Sequence, residues 1–426
     1  SININNGATL QTSSSGGGQT RLQNKTITFD ANGGGTINIS GGSTRVGGSS
    51  FVTTGGSTNF ITGNLLDLGN QITFNVADGT DDADLQLNNG INRSGINKLG
   101  AGTLRLTNTF NNLQTNVLDI NAGVVELGGA GQLVNGNYSG NITNDGIFRH
   151  NSTNNQILNG VISGTGGLTI DDVPNSNGDQ GVVVLSNAEN NTYTGATVVD
   201  SGLLVEQVSA AVNGDVWTRT TSATTIENGA TLRLDTTNQS SGGSKQAIGT
   251  ITVNAGGTLE LLTEASGGGQ PSIWQRNGAS TLIGDGTLVK SGTGMQGIAW
   301  TATSVSNISQ FDGAIQVDGG RLIFDPGNTN AIGSGNNDVS VASGAELDVR
   351  TGTLAIDALN GAGTVMNSNG TGSNTLSLGN NNGGSTFSGV ISHVDSDAFS
   401  VVKNGTGTQT LSGANTYNGT TTVNGG

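Results

Sequence analysis

A short unit returns along this chain at a nearly fixed step: a polar or small pair, a glycine, then an apolar strand. It reads Glu227-Asn228-Gly229-Ala230-Thr231-Leu232 and again Asn254-Ala255-Gly256-Gly257-Thr258-Leu259. Other copies centre on Gly7, Gly123, Gly202, Gly320 and Gly344. Gly202, Gly229 and Gly256 stand at equal steps, and Gly344 follows Gly320 at a slightly shorter one. Such a period lies within the roughly 20 to 50 residues that belong to solenoids, propellers or arrays. A propeller blade needs roughly 40 to 45 residues and an aromatic signature of its own, and this chain offers neither. Alternation such as Ala230-Thr231-Leu232-Arg233-Leu234 is the period-two pattern of a strand, and no helical stripe accompanies it. The expected fold is all-β: a right-handed parallel β-helix, or β-solenoid, with roughly 24–27 residues per coil.

The physics of such a fold explains the pattern. One coil cannot bury an apolar face alone, so it stacks on its neighbours. In-register stacking places Leu, Val and Ile in interior ladders and Thr, Asn and Ser outside. Gly and Asn at the corners supply the positive-φ conformations that tight turns require.

Composition agrees. With 73 Gly in 426 residues, disorder is the ordinary inference. Charged residues make up only 11%, however, and the apolar residues recur at intervals, which disorder does not produce. Net charge is −15, and the 15 Lys and Arg form no basic run, so nucleic acid is not an expected partner. An acidic, polar surface suits an extracellular protein. Cys is absent, which excludes a disulfide framework. No apolar run approaches the ~18 residues of a membrane helix, so no membrane insertion is expected within the chain. The first and last residues both read as the middle of a repeat, as in a segment of a longer or processed protein.

The C-terminal end is more specific. Lys403-Asn404-Gly405-Thr406-Gly407-Thr408 leads to Leu411-Ser412-Gly413-Ala414-Asn415-Thr416-Tyr417-Asn418-Gly419 and closes on Val423-Asn424-Gly425-Gly426. A second copy runs from Asn191-Thr192-Tyr193-Thr194-Gly195 to Gly202 without the Lys opening. A third is split: Lys290-Ser291-Gly292-Thr293-Gly294 opens it, and Phe311-Asp312-Gly313 through Gly320 closes it, with Phe in place of Tyr. A degenerate fourth is Lys98-Leu99-Gly100-Ala101-Gly102-Thr103. These segments resemble the autotransporter-associated β-strand repeat, also called the passenger-associated transport repeat. The phrases Gly160-Val161-Ile162-Ser163 and Phe387-Ser388-Gly389-Val390-Ile391-Ser392 are similar to spacers between such repeats. The resemblance covers much of residues 90–426. It divides one continuous rod into residues 1–90, without the motif, and residues 91–426, which carry it. It implies a bacterial passenger, exported across the outer membrane to the cell surface or beyond. An outer-membrane β-barrel translocator is then expected outside this chain.

Candidate chemistry is sparse. His150 and His393 sit in no nucleophile or metal spacing and are expected to be ordinary surface or turn residues. Acids cluster at Asp81, Asp82 and Asp84, at Asp171 and Asp172, and at Asp395 and Asp397. Paired acids or Ca²⁺ serve β-helix enzymes on polysaccharides. No aromatic platform accompanies these acids, and solvated turns are the expected reading. Gly333-Ser334-Gly335-Asn336-Asn337-Asp338-Val339 is a single imperfect match to a Ca²⁺-binding nonapeptide, a site that needs adjacent copies. Trp217, Trp274 and Trp300 fall where the rhythm breaks and are expected as core plugs or loop anchors rather than a ligand groove. The expectation is therefore a non-enzymatic structural or adhesive module with no catalytic, cofactor or metal residues. Its expected partners are further copies of itself or cell-surface, extracellular-matrix or glycan ligands. The competing readings are a polysaccharide-active enzyme and a self-associating filament subunit. Tyr193, Phe311 and Tyr417 are expected at equivalent places in their coils.

Overall fold

The computed structural model describes residues 1–13, 20–66, 71–88, 90–92, 95–110, 118–172, 174, 178, 180–207, 217–218, 223–237, 245–247, 249–264, 272–274, 281–298, 307–324, 335–350, 352–368, 372–394 and 396–426. Among them, strands are joined by turns, and the only helical elements are two three-residue 3-10 turns, Val134–Gly136 and Ala188–Asn190. The chain forms a β-solenoid of stacked parallel coils, divided into two compact units, Ser1–Leu204 and Val205–Gly426.

In the first unit one sheet stacks Ile2–Ile4, Thr26–Phe29, Ser50–Thr53, Gln71–Asn75, Gly95–Leu99, Leu118–Ile120, Ile142–Asn144 and Ile162–Ser163. A second runs from Thr9–Ser13 through Thr103–Leu106, Val124–Gly129 and Ile147–Ser152 to Gly167–Asp171 and Thr197–Ser201. The second unit repeats the construction. Thr231–Asp235, Thr258–Leu262, Thr287–Ser291, Ala314–Val317, Val339–Val341 and Leu359–Gly361 lie side by side in parallel.

Period-two alternation fills the interior. Leu104, Val125, Phe148 and Leu168 stand in register and are all buried. In the second unit a comparable row, on a different sheet, is Leu232, Leu259, Leu288, Ile315, Val339 and Leu359. Phe51 and Phe74, register partners on adjacent coils, stack with ring centroids 5.3 Å apart. Outward positions carry polar ladders, and charges of opposite sign pair across coils. Examples are Arg105 with Glu126 at 2.6 Å, Arg233 with Glu260 at 2.7 Å and Arg321 with Glu346 at 2.6 Å. The repeated corner glycines adopt positive φ, 82° at Gly229 and 80° at Gly256, which side-chain-bearing residues rarely tolerate.

Coil length departs from the expected period in both directions. Leu85 pairs with Leu104 across a short coil, whereas Ile251 pairs with Leu282 across one well over half as long again. At both of these pairings the strand register is continuous, and the corners absorb the difference, because only strand backbones must meet their neighbours' hydrogen bonds. The spacing of recurrent glycines samples only the corners that carry the motif.

The Phe51–Phe74 stack gives a test of the interior. Phe51→Ala or Phe74→Ala should each lower stability by about 3–5 kcal/mol. A double-mutant cycle read by chemical denaturation should show about 0.5–1.5 kcal/mol of coupling between the rings. Additive losses would mean that the rings do not touch.

Candidate functional site

The alternation that puts apolar side chains inside also puts lysines there. Three of the five lysines, Lys98, Lys290 and Lys403, point inward and are buried, leaving Lys25 and Lys245 elsewhere. Each takes a place in an apolar row: Lys98 between Phe74 and Ile120, Lys290 between Leu261 and Val317, Lys403 between Leu378 and Val423. A buried ammonium is tolerated only when its donors find acceptors. The turn that follows supplies them. Lys98 Nζ donates to Leu99 O at 3.0 Å and Gly100 O at 2.7 Å, then to Ala122 O of the next coil at 3.0 Å. Lys290 Nζ donates to Ser291 O at 2.5 Å, to Gly292 O at 3.2 Å and across to Gly319 O at 3.2 Å. Lys403 Nζ donates to Asn404 O, to Gly405 O at 3.3 Å and across to Gly425 O at 3.5 Å. Burial pushes the Lys98 and Lys290 ammonium groups down to about 8, with Asp84 and Glu264 respectively pulling back upward.

The same turn reaches the opposite way. Thr293 gives its N–H at 3.1 Å and its hydroxyl at 2.6 Å to Glu264 Oε2 on the preceding coil. Thr406 does the same to Asn382 Oδ1, at 3.0 and 3.2 Å, and so does Thr165 of Gly164-Thr165-Gly166, a turn with no lysine before it, to Asp145 Oδ1, at 2.8 and 3.0 Å. The Thr293 hydroxyl bond, then its N–H, holds the Glu264 carboxyl below its usual range; for Asp145 the Thr165 N–H leads. In the degenerate copy Ala101 stands in this place and has no hydroxyl to give. The glycines on either side admit the close approach: a Cβ on Gly292 would lie 2.3 Å from Thr263 O.

The Asn-Thr-Tyr centres dock on the spacer phrases. Asn191 Oδ1 accepts Ile162 N–H at 2.7 Å, and Asn415 Oδ1 accepts Ile391 N–H at 2.8 Å. Thr192 N–H and Thr416 N–H each donate, at 2.8 Å, to the carbonyl of that same isoleucine. The Tyr193 hydroxyl meets Thr197 Oγ1 at 2.8 Å, and the Tyr417 hydroxyl meets Thr421 Oγ1 at 2.6 Å. Phe311 shares the backbone anchor: Asp312 N–H reaches Gly284 O at 2.9 Å, as Thr194 N–H reaches Gly164 O at 2.9 Å. Tyr193 and Tyr417 thus occupy equivalent places, but Phe311 does not, contrary to expectation: it ends the strand Asn307–Phe311, whereas Tyr193 precedes the strand Thr197–Ser201 of the same sheet, so the two rings stand at opposite ends of their strands. Tyr193 and Phe311 are buried, and Tyr417 is partly exposed.

The candidate acids do not converge. Asp81 is exposed and accepts Thr58 N–H at 2.9 Å and the Thr58 hydroxyl at 3.0 Å. Asp82 is exposed. Asp84 is instead buried, accepts Thr103 N–H at 2.7 Å, and is pushed upward by burial. Asp171 faces outward, whereas Asp172 is buried. Its partner overturns one expectation: His150 is no surface residue. It is fully buried on Ile147–Ser152, in the inward row between Leu127 and Ile170, with Nδ1 bonded to Asp172 Oδ1. Solvated turns therefore describe Asp81 and Asp82 but not Asp84 or Asp172. His393 lies at a strand end, partly exposed, with Nδ1 bonded to Thr416 O at 2.8 Å. Asp397 accepts Gly372 N–H at 2.8 Å, and Asp395 lies outside the described residues.

In the nonapeptide-like stretch Gly333 and Ser334 lie outside the described residues. Asn337 is buried and donates to Phe311 O at 2.9 Å and Gly313 O at 2.8 Å, another tie between coils. Trp217 and Trp274 lie on the short strands Trp217–Thr218 and Ser272–Trp274, and Trp300 lies outside the described residues. Among the described residues no group of three or more His, Asp or Glu is placed to hold a metal ion. No helix among them is long and apolar enough to cross a membrane, which says nothing of a β-barrel.

Two outcomes test this geometry. Tyr193→Ala should cost about 3–5 kcal/mol, and Tyr193→Phe about 0.5–1.5 kcal/mol. Tyr417→Ala should cost clearly less in the same denaturation assay, because that ring is partly exposed. The buried lysines give a pH signature. Between about 8 and the free-lysine value of 10.5, the unfolded chain holds a proton that the folded chain has released, so stability rises with pH across that window. In unfolding midpoints measured from pH 7.5 to 10.5, the rise should shrink by about 1–3 kcal/mol for each Lys98→Met or Lys290→Met replacement.

Comparison with known proteins matches these places. The family model described as passenger-associated-transport-repeat matches residues 96–127, 179–205 and 401–426. The copy opening at Lys290 lies outside those spans yet builds the same lysine contacts. Over 185 residues the chain is 31% identical to the adhesin BmaC autotransporter of Brucella suis biovar 1 (strain 1330), covering 42% of this chain. The match spans only 5% of that relative's length. No solved structure matches the chain. The chain is a β-solenoid that carries matches to the passenger-associated-transport-repeat at Lys98, at Tyr193 and at Lys403 through Gly426.

Proposed function

We propose that this chain is part of a non-enzymatic passenger displayed on a bacterial surface, serving as an adhesive module or a stalk that carries one. The observation that supports this reading most is the fate of its polar motif residues. Lysine, threonine and asparagine side chains of the repeats are engaged in bonds between coils, the tyrosine hydroxyls bond a threonine of their own coil, and the acids are dispersed along the chain. Catalysis on a polymer needs two carboxylates, or a cation and a base, converging on one groove. Similarity to an autotransporter adhesin adds to the reading. Export across the outer membrane and a β-barrel translocator elsewhere in the full protein follow from the same proposal. So does recognition of cell-surface, extracellular-matrix or glycan ligands by outward residues.

The test is a pair of assays on the purified chain. Immobilised chain should retain one or more matrix proteins or glycans from a defined panel. Uronate and neutral polysaccharides should show no turnover, with or without Ca²⁺. Turnover that disappears on replacing Asp81 and Asp82, or Asp171 and Asp172, with Asn would replace this reading with that of an enzyme.

A further inference from the structure

We infer that the buried lysine of each repeat is a register key: it selects the alignment of its own coil against the next one, rather than supplying the energy that holds them together. The reason begins with an ambiguity in the fold. Interior rows come in pairs two residues apart, as with Leu259 and Leu261, or Val339 and Val341. Sliding one strand by two residues keeps every inward side chain inward and still sets one inward position of each strand against its neighbour, as 290 against Ile315. Such a slip displaces the strands by only ~6.6 Å and leaves the backbone ladder able to re-form. Coil length cannot forbid it either, because coils differ widely in length, from the short step between Leu85 and Leu104 to the far longer one between Ile251 and Leu282.

The lysines remove the ambiguity. Each ammonium is held by two carbonyls of its own turn and is completed by one carbonyl of the following coil, always that of the residue before a corner glycine: Ala122 before Gly123, Gly319 before Gly320, Gly425 before Gly426. The sequence separations are 24, 29 and 22 residues, so the contact is constant while the intervening chain is not. After a two-residue slip that carbonyl moves out of reach, and the ammonium faces the apolar row alone. A buried charge without its partner penalises the wrong alignment far more than a mismatched leucine does. In the native alignment, by contrast, a well-packed apolar side chain of similar length substitutes at little cost or with gain. Two of the accepting carbonyls also have backbone donors: Val76 N–H bonds Leu99 O, and Thr263 N–H bonds Ser291 O, so removing the ammonium does not orphan them.

The chain has no cysteine, which allows alignment to be read chemically. In the native register Val289 stands opposite Gln316, and Ala314 stands opposite Thr287. Cysteines at 289 and 316 report the native alignment, and cysteines at 289 and 314 report the two-residue slip. Each pair is placed in the full chain with Lys290, Lys290→Met or Lys290→Gln, unfolded in guanidinium under reducing conditions, refolded and oxidised. With Lys290 the 289–314 disulfide should be at background. With Lys290→Met it should rise at least several-fold, while the unfolding midpoint at pH 7 stays level or increases. Lys290→Gln, which keeps donors but cannot reach Gly319 O, should slip as well. No rise in the slipped disulfide in either variant would overturn the inference, whatever their stability. So would failure of both to fold, because the fold would then depend on the energy of the ammonium and not on its position.

Discussion

Everything in this molecule depends on the parallel backbone ladder between successive coils. A coil of this chain has no partner within itself: its amide groups point along the stack, and its apolar side chains cover only part of an interior. Each coil is therefore completed by the one before and the one after, and stability is a sum over neighbours rather than a property of a single core. That dependence explains the high glycine content. Where a corner backbone of one coil lies on the corner backbone of the next, as Gly292 lies on Thr263 O, there is no room for a side chain.

Polar groups then mark which coil belongs to which. The lysine reaches toward the C-terminal neighbour, the Gly-Thr-Gly threonine toward the N-terminal one, and the Asn-Thr-Tyr segment clasps the isoleucine of a spacer phrase. The lysines, threonines and asparagines of the repeat motif thus form a set of bonds between coils. Its lysines lie on strands of three different sheets, Gly95–Leu99, Thr287–Ser291 and Phe399–Lys403, and form no common row.

Much of the fold is legible in the sequence, because one arithmetic, period two within strands and a glycine at corners, governs both. The same arithmetic already places Lys290 inside, two residues after Leu288, and His150 inside, two residues after Phe148. Treating charged and titratable residues as solvated hides that placement, and Asp84 and Asp172 are misread for the same reason. What alternation cannot reveal is the partner, since Asp172 meets His150 through a neighbouring coil 22 residues away. Coil length is less legible still. A corner without the glycine signature contributes to the count without leaving a mark in the pattern.

The direction of the ladder also sets how either unit answers to force. Parallel strands stacked coil on coil direct their hydrogen bonds along the stacking axis, so tension on that axis falls on one junction at a time instead of shearing many bonds together. Each junction that opens frees one coil of backbone. At ~3.5 Å per residue, the stretch between Phe148 and Leu168 releases about 70 Å, and the one between Leu168 and Thr197 about 100 Å. A solenoid pulled by its ends lengthens in steps of that size and dissipates a load gradually. Unlike a sandwich that yields all at once, it keeps every coil beyond the opened junction folded.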